Sequence, residues 1–388
     1  MNPFALQSRR RMKSSHPFPT MAAIAIFVCC DLFSAARPGL AAEEIAVRYG
    51  LFEQSVSIAD LRHYAETQQA SVALHDFLRY LSPAEQKALQ SFLQEKHSVD
   101  LVALDRVLNA KVGETFLAQV AQAIKRRDRA GVQALRSALI LGIKPSEGLS
   151  ILSVLQAYPS QRLTINLPQG LRVIQQSSPH PPTDILTSLP AWQTSVEYQS
   201  TVSQNRRYQG CLFGDSISSA VGNTLGEQRF NFALGGMSTV SLIEQLKRLV
   251  SHRVKCQKIL IAIGTNDAWY TINNEQFTQN LRQIFSLSRA LEATHIVLLP
   301  AFYSTLAASK NPNLAGPLPR VESINKLIEQ TAKAENILVN AAAIKPLFQG
   351  QTLRENLTVD GVHLNATGIE MYRQALLKIL NADSAPEL

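Results

Sequence analysis

Five short runs, apolar but for Asn231, at 210–213, 230–234, 259–263, 296–299 and 337–339, punctuate the second half of this 388-residue chain, with amphipathic helical stretches between them. A strand with one wet face alternates polar and apolar residues, whereas a strand apolar at every position is covered on both faces. The pattern restricts residues 206–382 to an α/β architecture: a five-stranded parallel sheet sandwiched by helices. In such sheets ligands bind beyond the carboxyl ends of the strands. The residues just after each run therefore carry the function.

The first run ends in Gly214-Asp215-Ser216, which places a serine hydroxyl where a buried strand meets a helix N-terminus, a position that suits a nucleophile. By itself Gly-Asp-Ser is ordinary turn chemistry. Three later blocks add to it. Asn231 and the pair Gly235-Gly236 close the second run, so bare N–H groups face the same rim. Gly264-Thr265-Asn266-Asp267 closes the third with a side-chain amide donor, and Asp360-Gly361-Val362-His363 precedes a helical stretch at 367–380. Together they supply a hydroxyl, a base, a carboxylate to orient the base, and donors for an oxyanion, which are the requirements of acyl transfer.

With those residues the segment at about 206–382 resembles the SGNH (GDSL-type) hydrolases. Ser216, Gly236 five residues after Asn231, Asn266 in Gly-Thr-Asn-Asp, and His363 three residues after Asp360 match the family's four blocks in order. Ile217 stands where the family's nickname has Leu. The resemblance implies Ser216 as nucleophile, His363 as base and Asp360 as its orienting acid. It implies an oxyanion hole made by the Ser216 and Gly236 N–H groups and the Asn266 amide, with no metal or organic cofactor. The acid and base lie three residues apart and no Gly-x-Ser-x-Gly surrounds Ser216, which separates this pattern from the α/β-hydrolases. Trp269 and Tyr270 after the asparagine, and Phe302 and Tyr303 in the loop at 301–319, are the candidate substrate-binding side chains.

The N-terminus carries Arg9, Arg10, Arg11 and Lys13, an apolar run at 21–30, and small residues ending in Ala41-Ala42. That order is a secretory signal peptide over 1–42, with an apolar run too short for a comfortable membrane span, so export to a periplasmic or extracellular space is expected and no stable span after processing. The formal charge is +8, of which residues 1–42 hold five basic groups and one acid. The remaining +4 is too mild for a nucleic-acid partner. Cys29 and Cys30 leave with the signal. Cys211 lies five residues before Ser216 and Cys256 ten before Asn266; if those two residues mark the same level of neighbouring strands, the offset is about 16 Å. Two free thiols are therefore expected.

Residues 43–159 read as a mainly helical domain after a short alternating strand at 45–49. Ser57 and Ser82 begin capping boxes, Pro83 takes a first helical position, and further helices are expected at 99–108, 115–125, 130–141 and 147–158, with breaks at Gly113, Asp128 and Pro145. This segment resembles the helical domain of unknown function that precedes hydrolase domains in secreted proteins of photosynthetic bacteria. His63, His75 and His97 lack metal-ligand spacing. Residues 160–205, with strand-like pieces at 162–166 and 171–174 and a proline-rich stretch at 177–182, read as an extended linker. The expected activity is an exported serine hydrolase acting on an ester or O-acyl substrate. Its competitor is a non-catalytic envelope binding or scaffolding protein on a vestigial hydrolase fold.

Overall fold

The computed structural model describes residues 42–49, 52–79, 83–126, 130–144, 147–166 and 183–382. The signal peptide, the strand-like piece at 171–174 and the proline-rich stretch lie outside the described residues.

The N-terminal part is helical but has its own sheet of four strands: β1 (Glu44–Tyr49), β2 (Phe52–Ser57), β3 (Ile124–Lys125) and β4 (Arg162–Asn166), in the order β2-β1-β4-β3. β1 and β2 form an antiparallel hairpin, and β4 runs parallel to β1. Ser57 caps the helix after β2, its hydroxyl accepting from the Asp60 N–H at 2.9 Å. Gly113 does not break a helix. It sits in the first turn of Lys111–Ala123, where a Cβ would fall 2.1 Å from the Val107 carbonyl oxygen, so its lack of a side chain lets the preceding turn pack closely.

The five apolar runs become β5 (Arg207–Gly214), β6 (Arg229–Asn231), β7 (Lys255–Ala262), β8 (His295–Leu299) and β9 (Leu338–Val339). They form one parallel sheet in the order β6-β5-β7-β8-β9. Alternate residues of the central strands face two cores. Phe213, Ile259 and Ile261 pack under the helices Thr239–Ser251, Asn274–Ala290 and Leu318–Ala334, while Leu212, Leu260 and Leu299 pack against the helix Ala366–Asn381 on the other face. Burial on both faces is what removed alternation from the sequence. The helix that begins at Ser216 is only Ser216–Ser219, followed by turns.

The stretch expected as an extended linker contributes β4 to the N-terminal sheet and then the 14-residue helix Pro190–Ser203. This helix packs against Leu101–Leu108 and Lys111–Ala123 on one side and Thr239–Ser251 on the other. Tyr198 accepts the Asp100 N–H at 2.7 Å, and the described residues form a single compact unit. No helix among the described residues is long and apolar enough to cross a membrane.

The expectation of two free thiols is overturned: Cys211 and Cys256 form a disulfide, with Cα atoms 5.9 Å apart. Two physical facts defeat the count from the rim. Gly214 pairs with Ala262, two residues before Ser216 but four before Asn266, so the true offset is three residues, with Cys211 opposite Ile259. Three regular residues would still leave about 10 Å along the strands and opposite faces. The ladder, however, omits the pair Gln209 and Gln257, and the face alternation slips there on both strands: Tyr208 and Cys211 share one core with Cys256 and Ile259. The bridge closes a 45-residue separation. Its loss should lower the unfolding free energy by about 4 kcal/mol on chain-entropy grounds. Chemical denaturation of wild type and a Cys211→Ala/Cys256→Ala double variant, with and without reductant, checks this; a wild-type midpoint indifferent to reductant would refute it.

Candidate active site

The β5 strand delivers Ser216 to the rim through Asp215, whose carboxylate accepts the Ile217 N–H at 3.0 Å and caps the short helix. Gly214 precedes them because a Cβ there would lie 2.6 Å from the Ser218 hydroxyl and 2.9 Å from the Ala262 carbonyl oxygen. Across the rim, Asp360 and His363 come from a loop that folds on itself. Asp360 Oδ1 accepts the N–H groups of Val362 at 2.9 Å and His363 at 2.7 Å, so the carboxylate organises the turn that presents the imidazole. Gly361, at φ +90°, lets this turn press onto Thr305, whose N–H donates to the Gly361 carbonyl at 2.8 Å.

These pieces meet. His363 Nδ1 lies 2.7 Å from Asp360 Oδ2, and His363 Nε2 lies 3.0 Å from Ser216 Oγ. The hydrogen bond that His363 gives to Asp360 raises the imidazole above its usual range, against burial, with the charges of Asp360 and Asp215 adding to it. Burial alone would raise Asp360, yet the His363 hydrogen bond and charge and the two backbone donors outweigh it and bring it down to about 2.

Gly236 and Asn266 are also brought together. Asn266 Nδ2 donates to the Met237 carbonyl at 2.9 Å, and the Tyr270 hydroxyl donates to the Gly236 carbonyl at 2.8 Å, so the asparagine loop braces the glycine turn from two sides. Gly236 takes φ +75°. Among the described residues neither the Ser216 N–H nor the Gly236 N–H has a hydrogen-bond partner, and Asn266 keeps a second N–H beyond the one given to Met237.

A narrow pocket adjoins these groups. Ile217, Asn266 and Val362 line it from the three site loops, with Trp269, Phe302 and Tyr303 as its aromatic walls. The Trp269 indole donates to the Pro312 carbonyl at 2.7 Å, tying the pocket to the loop after β8. Phe302 is buried, set edge-on against Phe348 and Tyr372. Tyr270 stands apart from the pocket as the brace on Gly236. Among the described residues, no three His, Cys, Asp or Glu side chains are placed to hold a metal ion.

The family described as GDSL-like lipase/acylhydrolase matches residues 202–371. Residues 202–371 are a GDSL-like lipase/acylhydrolase domain. At the level of its family the acylhydrolase domain is an ester-hydrolysing enzyme. Residues 41–166 match a second family, described as alpha/beta hydrolase of unknown function (DUF1400). Among solved structures, a protein from Streptococcus pneumonia is similar at 22% identity, covering 50% of this chain and 97% of that one with a TM-score of 0.41. A GDSL-like lipase from Bacteroides thetaiotaomicron (17%, 44% and 87%, TM-score 0.38) and a lipase/acylhydrolase from Enterococcus faecalis (20%, 45% and 95%, TM-score 0.36) are similar as well. No curated protein matches the chain.

Sequence reasoning passed over three groups in the acylhydrolase domain. Asp215 is buried and pushed up to about 6 by that burial, against the Ile217 and Ser218 N–H groups, the charge of His363 and the Thr265 hydroxyl. Asp267 is buried and pushed up to about 7; it accepts the Thr239 N–H through both oxygens at 3.1 Å and the Thr239 hydroxyl. Ser218 and Tyr372 share a 2.9 Å hydrogen bond close to Ser216. Only the Asp residues had a local signal, each being adjacent to a block residue.

The pH dependence takes its sign from His363. A base must be neutral, so kcat/KM for an ester should rise with pH through a midpoint above the ordinary imidazole value of about 6.5. Asp360→Asn removes the largest cause of the upward shift; it should lower that midpoint and cut kcat by about 10²- to 10⁴-fold. A pH profile of both proteins decides it, and an unmoved midpoint would count against the pairing.

Proposed function

We propose that this protein is an exported serine esterase that cleaves a short acyl group from an oxygen ester through an acyl-enzyme on Ser216. The observation that carries this is the His363 imidazole, held at 2.7 Å from Asp360 by one nitrogen and at 3.0 Å from Ser216 by the other. A surface histidine kept for solubility has no reason to bridge a carboxylate and a hydroxyl in line.

In the reaction, His363 Nε2 takes the Ser216 proton as Oγ attacks the ester carbonyl. The carbonyl oxygen becomes an oxyanion facing the Ser216 N–H, the Gly236 N–H and the second Asn266 N–H, each worth about 3 to 4 kcal/mol of barrier by analogy with other oxyanion donors. The protonated imidazole, stabilised by Asp360, returns its proton to the departing alcohol oxygen. Water then repeats the sequence on the acyl-enzyme, giving the acid and regenerating the hydroxyl. Trp269, Phe302 and Tyr303 wall a pocket of limited volume, which favours short acyl groups over long chains. The export part of the proposal is supported by the basic, apolar and small-residue order of 1–42 and by the disulfide, a bond at home in oxidising compartments.

A fluorophosphonate probe should label the folded wild type and fail to label Ser216→Ala. With p-nitrophenyl esters, acetate and butyrate should turn over at least about tenfold faster than palmitate, in line with the cost of misfitting several methylenes. Absence of Ser216-dependent labelling in folded protein would favour the scaffold reading instead.

A further inference from the structure

The turn carrying Gly236 is held from a place that the family match does not reach. Asp184 lies 18 residues before residue 202, where that match begins. Its carboxylate Oδ2 accepts the hydroxyl of Ser238 and, at 2.8 Å, the hydroxyl of Ser241, with the Ser241 N–H at 3.3 Å. Its other oxygen accepts the Leu186 N–H at 3.0 Å. Ser238 caps the 13-residue helix Thr239–Ser251 and stands two residues after Gly236. Leu186 meets the turn directly: a Cβ built on Gly236 would lie 3.6 Å from both Leu186 methyls and 3.4 Å from the Tyr270 hydroxyl.

We propose that Asp184 is a positioning residue for the oxyanion turn, and that Leu186, which it orients, packs over Gly236 as the turn's outer wall. This role presupposes the acyl-transfer reading of the site. The Gly235-Gly236 pair has no side chain to lock it, and Gly236 occupies a positive-φ conformation, so the direction of its N–H depends on what grips the turn at either end. From the asparagine side the grip is Asn266 on the Met237 carbonyl and Tyr270 on the Gly236 carbonyl. From the helix side it is two carboxylates, Asp267 on Thr239 and Asp184 on Ser238 and Ser241. Negative charge at a helix N-terminus is favourable, and a carboxylate accepting four donors fixes them more firmly than a neutral acceptor. Without Asp184, the Ser238 and Ser241 hydroxyls lose their shared acceptor, Leu186 loses its anchor, and the Gly236 N–H is free to swing from the oxyanion. An N–H misplaced by about 1 Å costs on the order of 10²-fold in rate.

The test uses the full chain with p-nitrophenyl acetate. Asp184→Ala should lower kcat by about 10- to 100-fold with KM within about threefold, because the contact matters most when the oxyanion forms. Asp184→Asn, which keeps an acceptor oxygen without charge, should fall between Ala and wild type. Inhibition by an alkylboronic acid, whose tetrahedral adduct needs the same donors, should weaken in parallel with kcat across the series. If Asp184→Ala fails to fold, Asp184→Asn and a Ser238→Ala/Ser241→Ala double variant carry the same comparison, with melting temperature as control. A kcat equal to wild type in a folded Asp184 variant, or a loss confined to KM, overturns the positioning role. Absence of Ser216-dependent turnover in the wild type itself instead overturns the acyl-transfer reading.

Discussion

The parallel ladder between β5 and β7 is the constraint on which the rim depends. It runs in register up to Gly214 opposite Ala262 and ends both strands at one level, so the blocks after them open on the same side. The ladder also dictates sequence: the Ala262 carbonyl stands where a Gly214 side chain would go. The next strand, β6, pairs on the opposite edge of β5. The chain thus changes its direction of winding at β5, and the crevice this creates is where an open α/β sheet holds its ligand. Ser216 is at that crevice because it comes directly after the strand from which the winding diverges.

Four aspartates at the rim do different work according to their surroundings. Asp184 anchors the glycine turn from the helix side. Asp215 and Asp267 are buried and raised to about 6 and about 7, and each spends its oxygens on backbone N–H groups or on neighbouring hydroxyls. They cost solvation and hold loops in place. Asp360, half open to water and beside an imidazole, is lowered to about 2. It is therefore ionised throughout the range in which His363 exchanges its proton, and the imidazole always faces a full charge. Asp215 does gain a proton within reach of that range. Because its charge also favours the protonated imidazole, acidification weakens this secondary support while leaving the primary partner intact.

The strands and the four sequence blocks were legible because their signals are local: an apolar run on each strand, a glycine or amide soon after three of them, and a histidine three residues after an aspartate before the last helix. What was hidden depends on distant parts of the chain. The disulfide required knowing that two residues separate Gly214 from Ser216 and four separate Ala262 from Asn266, and that alternation slips beside Gln209 and Gln257; no residue announces either. The five residues of β4 read as strand-like, but that they pair with β1, more than 100 residues earlier, and so belong to a sheet rather than a linker, is not written in them. The helix Pro190–Ser203 has no broad apolar stripe, since it is packed from two sides and buries Gln199, Ser200 and Ser203. Periodicity finds helices with one wet face and overlooks those with two dry ones. Asp184 was missed for a related reason, its serine partners lying 54 and 57 residues away.

The same helix explains why the two halves are continuous. β6 is an edge strand of three residues, and an edge leaves backbone groups without a ladder partner. On the inner side the Phe232 N–H just beyond β6 donates to the Leu212 carbonyl at 2.8 Å. On the outer side the Phe232 carbonyl accepts the Gln245 amide at 2.7 Å and the Gln199 amide at 3.3 Å, and the two glutamines bond each other at 2.7 Å. Gln199 belongs to Pro190–Ser203, so the helix that covers the exposed edge of the catalytic sheet is also the surface on which Leu101–Leu108 and Lys111–Ala123 pack. A buried glutamine pair takes up the Phe232 carbonyl just past the edge strand without continuing the sheet, and thereby turns a sheet boundary into an interface with the N-terminal half.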